Sequence, residues 1–300
     1  MPPPTATARP LASMLARFRL WRARRNQFGN RFGNHYDVET DDKGPATNVS
    51  LHDIKFRCNL CGSHNSAVLA RLSREAPSCR GCGSNMRFRA MAHLVVREVL
   101  GRDQSMPDVM RSREIKGLGL SDVASYAVPL ADKFDYENTW YHMAPQLDIA
   151  NVPPERFGRY DFVVASDVFE HVAPPVSRAF ANARKLLKPS GKFIFTVPFS
   201  LAADTVEHFP DLYDWSVHER NGMWQLDNIT VNGVRQTFDD LIFHGGPGTT
   251  LEMRLFSRAA LEREFARAGF ARVRVADESY LPFGIHWPEQ FSVPMVAYAS

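Results

Sequence analysis

The chain has 300 residues, 44% of them hydrophobic and 23% charged, and a formal net charge of +3. That composition excludes disordered and fibrous classes, and no run approaches the ~18 uninterrupted apolar residues that a membrane-spanning helix requires. Four cysteines are too few for a disulfide scaffold, and arginines stand where a signal peptide needs its apolar stretch, so reduced thiols in a cytoplasm are expected.

Residues 1–90 hold 15 Lys/Arg against 6 Asp/Glu, whereas residues 91–300 hold 21 against 27. A basic N-terminal third suits an anionic partner, whether a phosphorylated substrate, nucleic acid or anionic lipid. Residues 1–10, rich in Pro, Thr and Ala, read as disordered. Leu11, Met14, Leu15, Phe18 and Trp21 then recur at helical spacing beside Arg17, Arg19 and Arg24. They predict a short basic helix, docked on the protein's own body or lying on a membrane surface or a protein partner. Residues 26–50 read as a connector, which makes 1–50 a basic segment and linker.

Residues 51–105 form the second part. Cys58-x2-Cys61 and Cys79-x2-Cys82 are separated by 17 residues, a spacing that reads as a zinc site. Four thiolates complete a tetrahedron, so the metal is expected to be structural. Gly62 and Gly81 are expected to permit the tight turns, and His64 is an unneeded substitute ligand. Seven Lys/Arg against Glu75 alone over residues 55–90 leave the module basic even after the metal–thiolate charge is counted. Those arginines either touch phosphates or pair with the acidic remainder. Met91, Leu94, Val95 and Val99 predict a following helix that stops at Gly101.

From about residue 113 strands alternate with helices. Strands are predicted at 114–118, 138–142, 161–165, 192–197, 271–276 and 292–299, and helices at 122–133, 176–187 and 258–268. The pattern predicts a doubly wound α/β domain over 106–300 with a mostly parallel sheet. Residues 199–250 interrupt it, with Asn232-Gly233 marking a hairpin, and read as an insertion over the sheet's ligand edge.

Three segments carry the chemistry: Glu114-Ile-Lys-Gly-Leu-Gly-Leu-Ser-Asp122, "YDFVVASDVFEHV" at 160–172 and "ARKLLKPSGKFIFTVPF" at 183–199. In this order they resemble class I S-adenosylmethionine-dependent methyltransferases over about 113–299, most specifically at 160–198. The resemblance implies a Rossmann-like sheet of seven strands with the last antiparallel. It implies that Gly117 and Gly119 turn against the donor's methionine part and that Asp148 meets the adenine amino group. Ser166 and Asp167 then border the donor. Two positions depart from the family: Leu120-Ser121-Asp122 replace the third glycine, and Tyr141 and His142 stand where an acid holds the ribose. The short stretch before Asp148 implies an abbreviated helix and strand. A four-cysteine module ahead of such a domain, with "FHGGPGTTLEMRLFS" behind it, is similar to bacterial methyltransferases of surface-glycan and small-molecule pathways. In domain order alone it is similar to zinc-bearing ribosomal RNA methyltransferases.

The expected function is methyl transfer from S-adenosylmethionine to a small polar acceptor, such as a sugar or an intermediate of polysaccharide biosynthesis. An RNA-modifying enzyme and a non-catalytic binding or assembly module are the alternatives. Nucleic acid is the weaker partner, because Phe56 and Phe88 are the main aromatics of the module able to stack on bases. A hydroxyl acceptor needs a base, and His208 and His244 in the insertion are the candidates. His171 reads as a capping and packing residue, and His93 as structural. Glu252 and Arg254 read either as orienting a polar acceptor or as an ordinary surface pair.

Overall fold

The computed structural model describes residues 52–300; the predicted helix of residues 11–21 and the connector of 26–50 lie outside the described residues. A hairpin of β1 (Asp53–Arg57) and β2 (His64–Val68) flanks the first cysteine pair, and helix α1 (Met86–Leu100) follows the second. The ends of α1 follow local chemistry. The Asn85 side chain accepts from the Phe88 N–H at 2.9 Å, and Gly101 closes the helix at φ 67°.

Alternation then begins with β3 (Ser112–Leu120), α2 (Ala124–Lys133), β4 (Phe134–Thr139), β5 (Tyr160–Ser166), α3 (Ser177–Leu186) and β6 (Leu187–Thr196). The insertion contains the short strands β7 (Phe199–Ser200) and β8 (Val206–Glu207). A meander of β9 (Asp214–Arg220), β10 (Met223–Ile229) and β11 (Arg235–Phe238) follows, then the pair β12 (Phe243–His244) and β13 (Thr250–Leu251). The turn from β10 to β11 has Gly233 at φ 78°, the left-handed conformation that Asn-Gly signals. The chain closes with β14 (Arg254–Ser257), α4 (Arg258–Arg267), β15 (Arg272–Val275) and β16 (Met295–Tyr298).

The main sheet has the order β15-β16-β6-β5-β3-β4, with β16 running against the other five strands. This corrects the seven strands implied by the resemblance to six. Between β4 and β5 the structure has only 3-10 turns at Ile149–Asn151 and Pro154–Arg156 and an isolated bridge from Trp140 to Gln146. Pro145, Pro153 and Pro154 remove donors a helix or inner strand would need. Strand β4 also begins earlier than predicted, because Phe134 and Tyr136 are the buried residues and Asp135 between them faces water.

Strand alternation sorts the core into two faces. Val163, Ala165, Phe193 and Phe195 pack against α3 and α4 through Phe180 and Phe265. Phe162, Val164 and Ile194 point the other way, toward Met91 and Val95 of α1 and Tyr126 and Leu130 of α2. Each such fully buried side chain contributes about 1.5–3 kcal/mol. The division read at 105/106 therefore runs through a shared core, because α1 covers the sheet. Asp122, just ahead of α2, makes no cap bond to it; its carboxylate accepts from the hydroxyls of Tyr126 and Tyr136. Among the described residues no helix is long and apolar enough to cross a membrane.

Candidate active site

Strands β4 and β5 flank β3, so the chain leaves β3 in opposite directions and opens a crevice at the C-terminal strand ends. A cleft of about 1020 Å³ lies there, with Ser121, Thr139 and Asp167 at the strand ends and Trp215, Trp224 and Phe243 on the insertion side. That volume is at the top of the ~300–1,000 Å³ range of small-molecule sites. Gly248, at φ 77°, shapes the wall: a Cβ there would stand 2.3 Å from the Trp224 ring.

Of the residues expected to hold the donor, Ser121, His142, Asp148, Ser166 and Asp167 line this cleft, as do Arg87 and Phe88 from α1. Gly117 and Gly119 lie inside β3 and not in a turn. A Cβ on Gly117 would be 2.2 Å from the Phe162 ring, and one on Gly119 would be 2.0 Å from the Tyr136 hydroxyl. Their role here is to admit aromatic rings against the strand. The left-handed residue is Ser121, at φ 56°, held by donation of its N–H to Thr139 O at 2.7 Å. An L-residue there costs roughly 1–2 kcal/mol. Asp148 is occupied locally, because its two oxygens accept from Ala150 N–H at 2.9 Å and the Asn151 amide at 2.6 Å. His142 is exposed and packs edge-on to Tyr141, the ring centroids 4.5 Å apart.

Arginines of the cysteine segment grip the end of β5. Arg74 binds Asp167 through two bonds of 2.6 and 3.1 Å and donates to Thr196 Oγ1 at 2.9 Å. Arg87 donates to Ser166 Oγ at 2.6 Å and to Glu75 at 2.8 and 3.1 Å. Burial pulls both guanidiniums toward neutrality, but Asp167 and Glu75 outweigh it and hold both charged. Arg57 pairs with Asp108, so the basic surface read from the sequence is partly spent within the fold.

The histidines form one chain of hydrogen bonds. His171 donates from Nδ1 to Leu251 O at 2.9 Å, so its Nε2 accepts from His244 Nδ1, also at 2.9 Å. His244 Nε2 meets Glu252 Oε2 at 2.8 Å, and His208 Nε2 meets Glu252 Oε1 at 3.1 Å. A proton must lie between His244 and Glu252, because two lone pairs would otherwise face each other. Burial, followed by the neighbouring His244, pushes the His171 imidazole down to about 4, so it is neutral near pH 7. His171 and His244 line the cleft and His208 does not. Glu252 and Arg254 are buried, not a surface pair; Arg254 binds Glu207 at 2.8 Å and the Val172 carbonyl at 2.6 Å. The sequence signal for His171 was its place just beyond a parallel strand's C-terminal end. Pairing of the module's arginines with the acidic remainder was one of the two sequence readings, and Arg74 and Arg87 follow it, but no local signal singled out these two or Asp167. His93 is structural, buried against Asp103 at 2.7 Å.

The four cysteine sulfurs lie within 4.8 Å of one another, with Cys58–Cys82 at 3.8 Å and Cys61–Cys79 at 3.6 Å. A tetrahedron with Zn–S bonds of ~2.3 Å has edges of about 3.8 Å, so the set fits zinc. Gly62 and Gly83 make the left-handed turns at φ 80° and 68°. Gly81, expected at a turn, serves close approach: a Cβ there would lie 2.0 Å from Ser63 Oγ. Arg89 is fully buried nearby and donates to the carbonyls of Ser84, Phe283 and Gly284; burial pulls its guanidinium pKa down, and the four cysteines oppose that shift.

The sequence profile of a family described as a methyltransferase domain matches residues 80–275. No curated protein matches the chain. Among solved structures, it is similar to the sugar N-methyltransferase KedS8 from Streptoalloteichus sp., at 14% identity over 89% of this chain and 99% of that one, TM-score 0.41. It is also similar to CalS10, an amino pentose methyltransferase from Micromonospora echinaspora, at 15% identity over 70% and 90% of the two chains, TM-score 0.39. A third likeness, at 10% identity and TM-score 0.37, is to the citrinin polyketide synthase CMeT domain; it covers 62% of this chain, which spans only 46% of that one.

Proposed function

The chain belongs to the methyltransferase-domain family, and from that premise we propose that it moves a methyl group from S-adenosylmethionine to a small polar acceptor of sugar or glycan type. The observation that carries the reading is one cleft that joins the C-terminal ends of β3, β4 and β5 to the aromatic wall of the insertion. The donor takes the strand-end side, with Ser121, His142, Asp148, Ser166 and Asp167 about it. The acceptor takes the side of Trp215, Trp224, His171 and His244. Methyl transfer is an in-line displacement at a sulfonium carbon, so alignment of the two substrates supplies much of the rate. A hydroxyl acceptor must also lose its proton, and the histidine wall is where that happens. Zinc on Cys58, Cys61, Cys79 and Cys82 is structural in this reading, since four thiolates leave no open position. The buried Arg89 supports it, because a net-negative cluster offsets that charge.

Calorimetric titration with S-adenosylmethionine tests the reading, and absence of binding by the folded protein defeats it. Asp148→Ala should weaken donor binding roughly tenfold to a hundredfold, the value of a charge-assisted hydrogen bond of about 1.5–3 kcal/mol. Because Asp148 also caps the turn at residues 149–151, melting temperature is measured alongside. Lower stability with unchanged donor affinity would leave Asp148 as a cap only.

A further inference from the structure

We propose that Glu170, His171 and His244 form a site for one divalent transition-metal ion in the cleft wall, separate from the four cysteines. One ligand atom from each lies within 4.8 Å of the others. His171 Nε2 and His244 Nδ1 converge to 2.9 Å, and Glu170 Oε1 is 3.8 Å from His171 Nε2. Two imidazole nitrogens bound side by side on one ion, each at ~2.0–2.1 Å, stand about 3 Å apart. The opposite nitrogen of each ring is already held, His171 Nδ1 by the Leu251 carbonyl at 2.9 Å and His244 Nε2 by Glu252 at 2.8 Å. A carbonyl or carboxylate behind each ring is what fixes the tautomer and aims the lone pair of a metal-bound histidine. Glu252 is itself braced by His208 at 3.1 Å.

Three protein ligands leave coordination positions that open on the cleft, which His171 and His244 line. The mixed nitrogen and oxygen donors suit zinc, cobalt, iron or manganese over calcium. Without the ion, the His244 Nδ1 proton bridges the two rings, so metal uptake displaces that proton. The ion's use rests on the methyl-transfer reading: with both imidazoles engaged as ligands, the ion in place of a free histidine would lower the pKa of a bound acceptor hydroxyl. That proton would leave to solvent before the oxygen took the methyl, the carbon–sulfur bond breaking and sulfur keeping the electron pair. The binding site does not depend on that reading.

The test loads the full chain with Co²⁺ or Zn²⁺ and follows metal content, visible spectrum and released protons. The result expected is a second ion beyond the cysteine-bound one, with a cobalt spectrum lacking sulfur charge-transfer bands and about one proton released. His171→Gln and His244→Gln should each abolish that ion, and Glu252→Gln should weaken it about 10–100-fold. A parent protein that takes up no nitrogen- and oxygen-bound ion at millimolar Co²⁺ overturns the site, and so does a folded His244→Gln protein that keeps it. Donor titration on the same samples separates the two ideas. A second ion without donor binding supports this site and defeats methyl transfer; donor binding without the ion does the reverse.

Discussion

Asp122 shows what burial does to a single group. Burial raises its carboxyl to about 7, against hydrogen bonds from Tyr126 and Tyr136 that favour the charged form. Between pH 3.8 and about 7 the folded chain keeps a proton that the unfolded chain has released, so this group's contribution to stability falls as pH rises. Asp122→Asn removes the titration. Melting curves from pH 4 to 8 should show the variant gaining on the parent as pH climbs, and a constant difference would refute the assignment. Gly117 makes the matching steric case. Gly117→Ala drives a Cβ into the Phe162 ring and should cost about 1–3 kcal/mol in urea unfolding. Adding Phe162→Leu should recover part of that loss. A glycine whose role was donor contact would instead lose donor affinity and show no rescue.

Among the elements, the cysteine knuckles have the most to explain. Their spacing is written in the sequence, but α1 behind them becomes a covering helix of the main sheet and sends Arg87 and Phe88 into the cleft. Cys79→Ala should therefore remove the metal, lower the melting temperature and weaken donor binding as well, because structural zinc binding is coupled to folding. Metal analysis, melting and calorimetry on one preparation check all three. Full retention of metal and stability would end the zinc assignment. Strand β4 is the element whose boundary was least legible. The aromatic run Trp140-Tyr141-His142 has strand-like residues, yet alternation of Phe134 and Tyr136 with polar neighbours decided the pairing with β3.

For the whole molecule, the decisive contact is the grip of Arg74 and Arg87 on Asp167. It joins the N-terminal segment to the end of β5, over 93 residues of chain in the case of Arg74. The two arginines have side-chain exposures of only 11% and 13%, so removing the facing charge strands them in a poor medium. Breaking a buried pair of this kind costs about 3–5 kcal/mol. Asp167→Asn keeps the shape and should lower unfolding stability on that scale. Donor affinity should fall with it, since Ser166 and Asp167 line the cleft. A stability change below about 1 kcal/mol would place the grip among weak surface pairs.

The sequence alone determined what depends on near neighbours. Apolar runs gave buried strands at 161–165 and 192–197, which the structure extends to Tyr160–Ser166 and Leu187–Thr196; Asn232-Gly233 gave the hairpin, and cysteine spacing gave four sulfurs within bonding reach of one ion. Local pattern carries no information on which distant charges meet, and the tertiary structure decided that. It turned Arg74 and Arg87 inward, and it brought His171 and His244, 73 residues apart, to 2.9 Å. The missing seventh strand was partly legible in the sequence: the short stretch before Asp148 implied an abbreviated helix and strand, and residues 140–156, too short and too proline-rich to add a strand, form only turns and an isolated bridge.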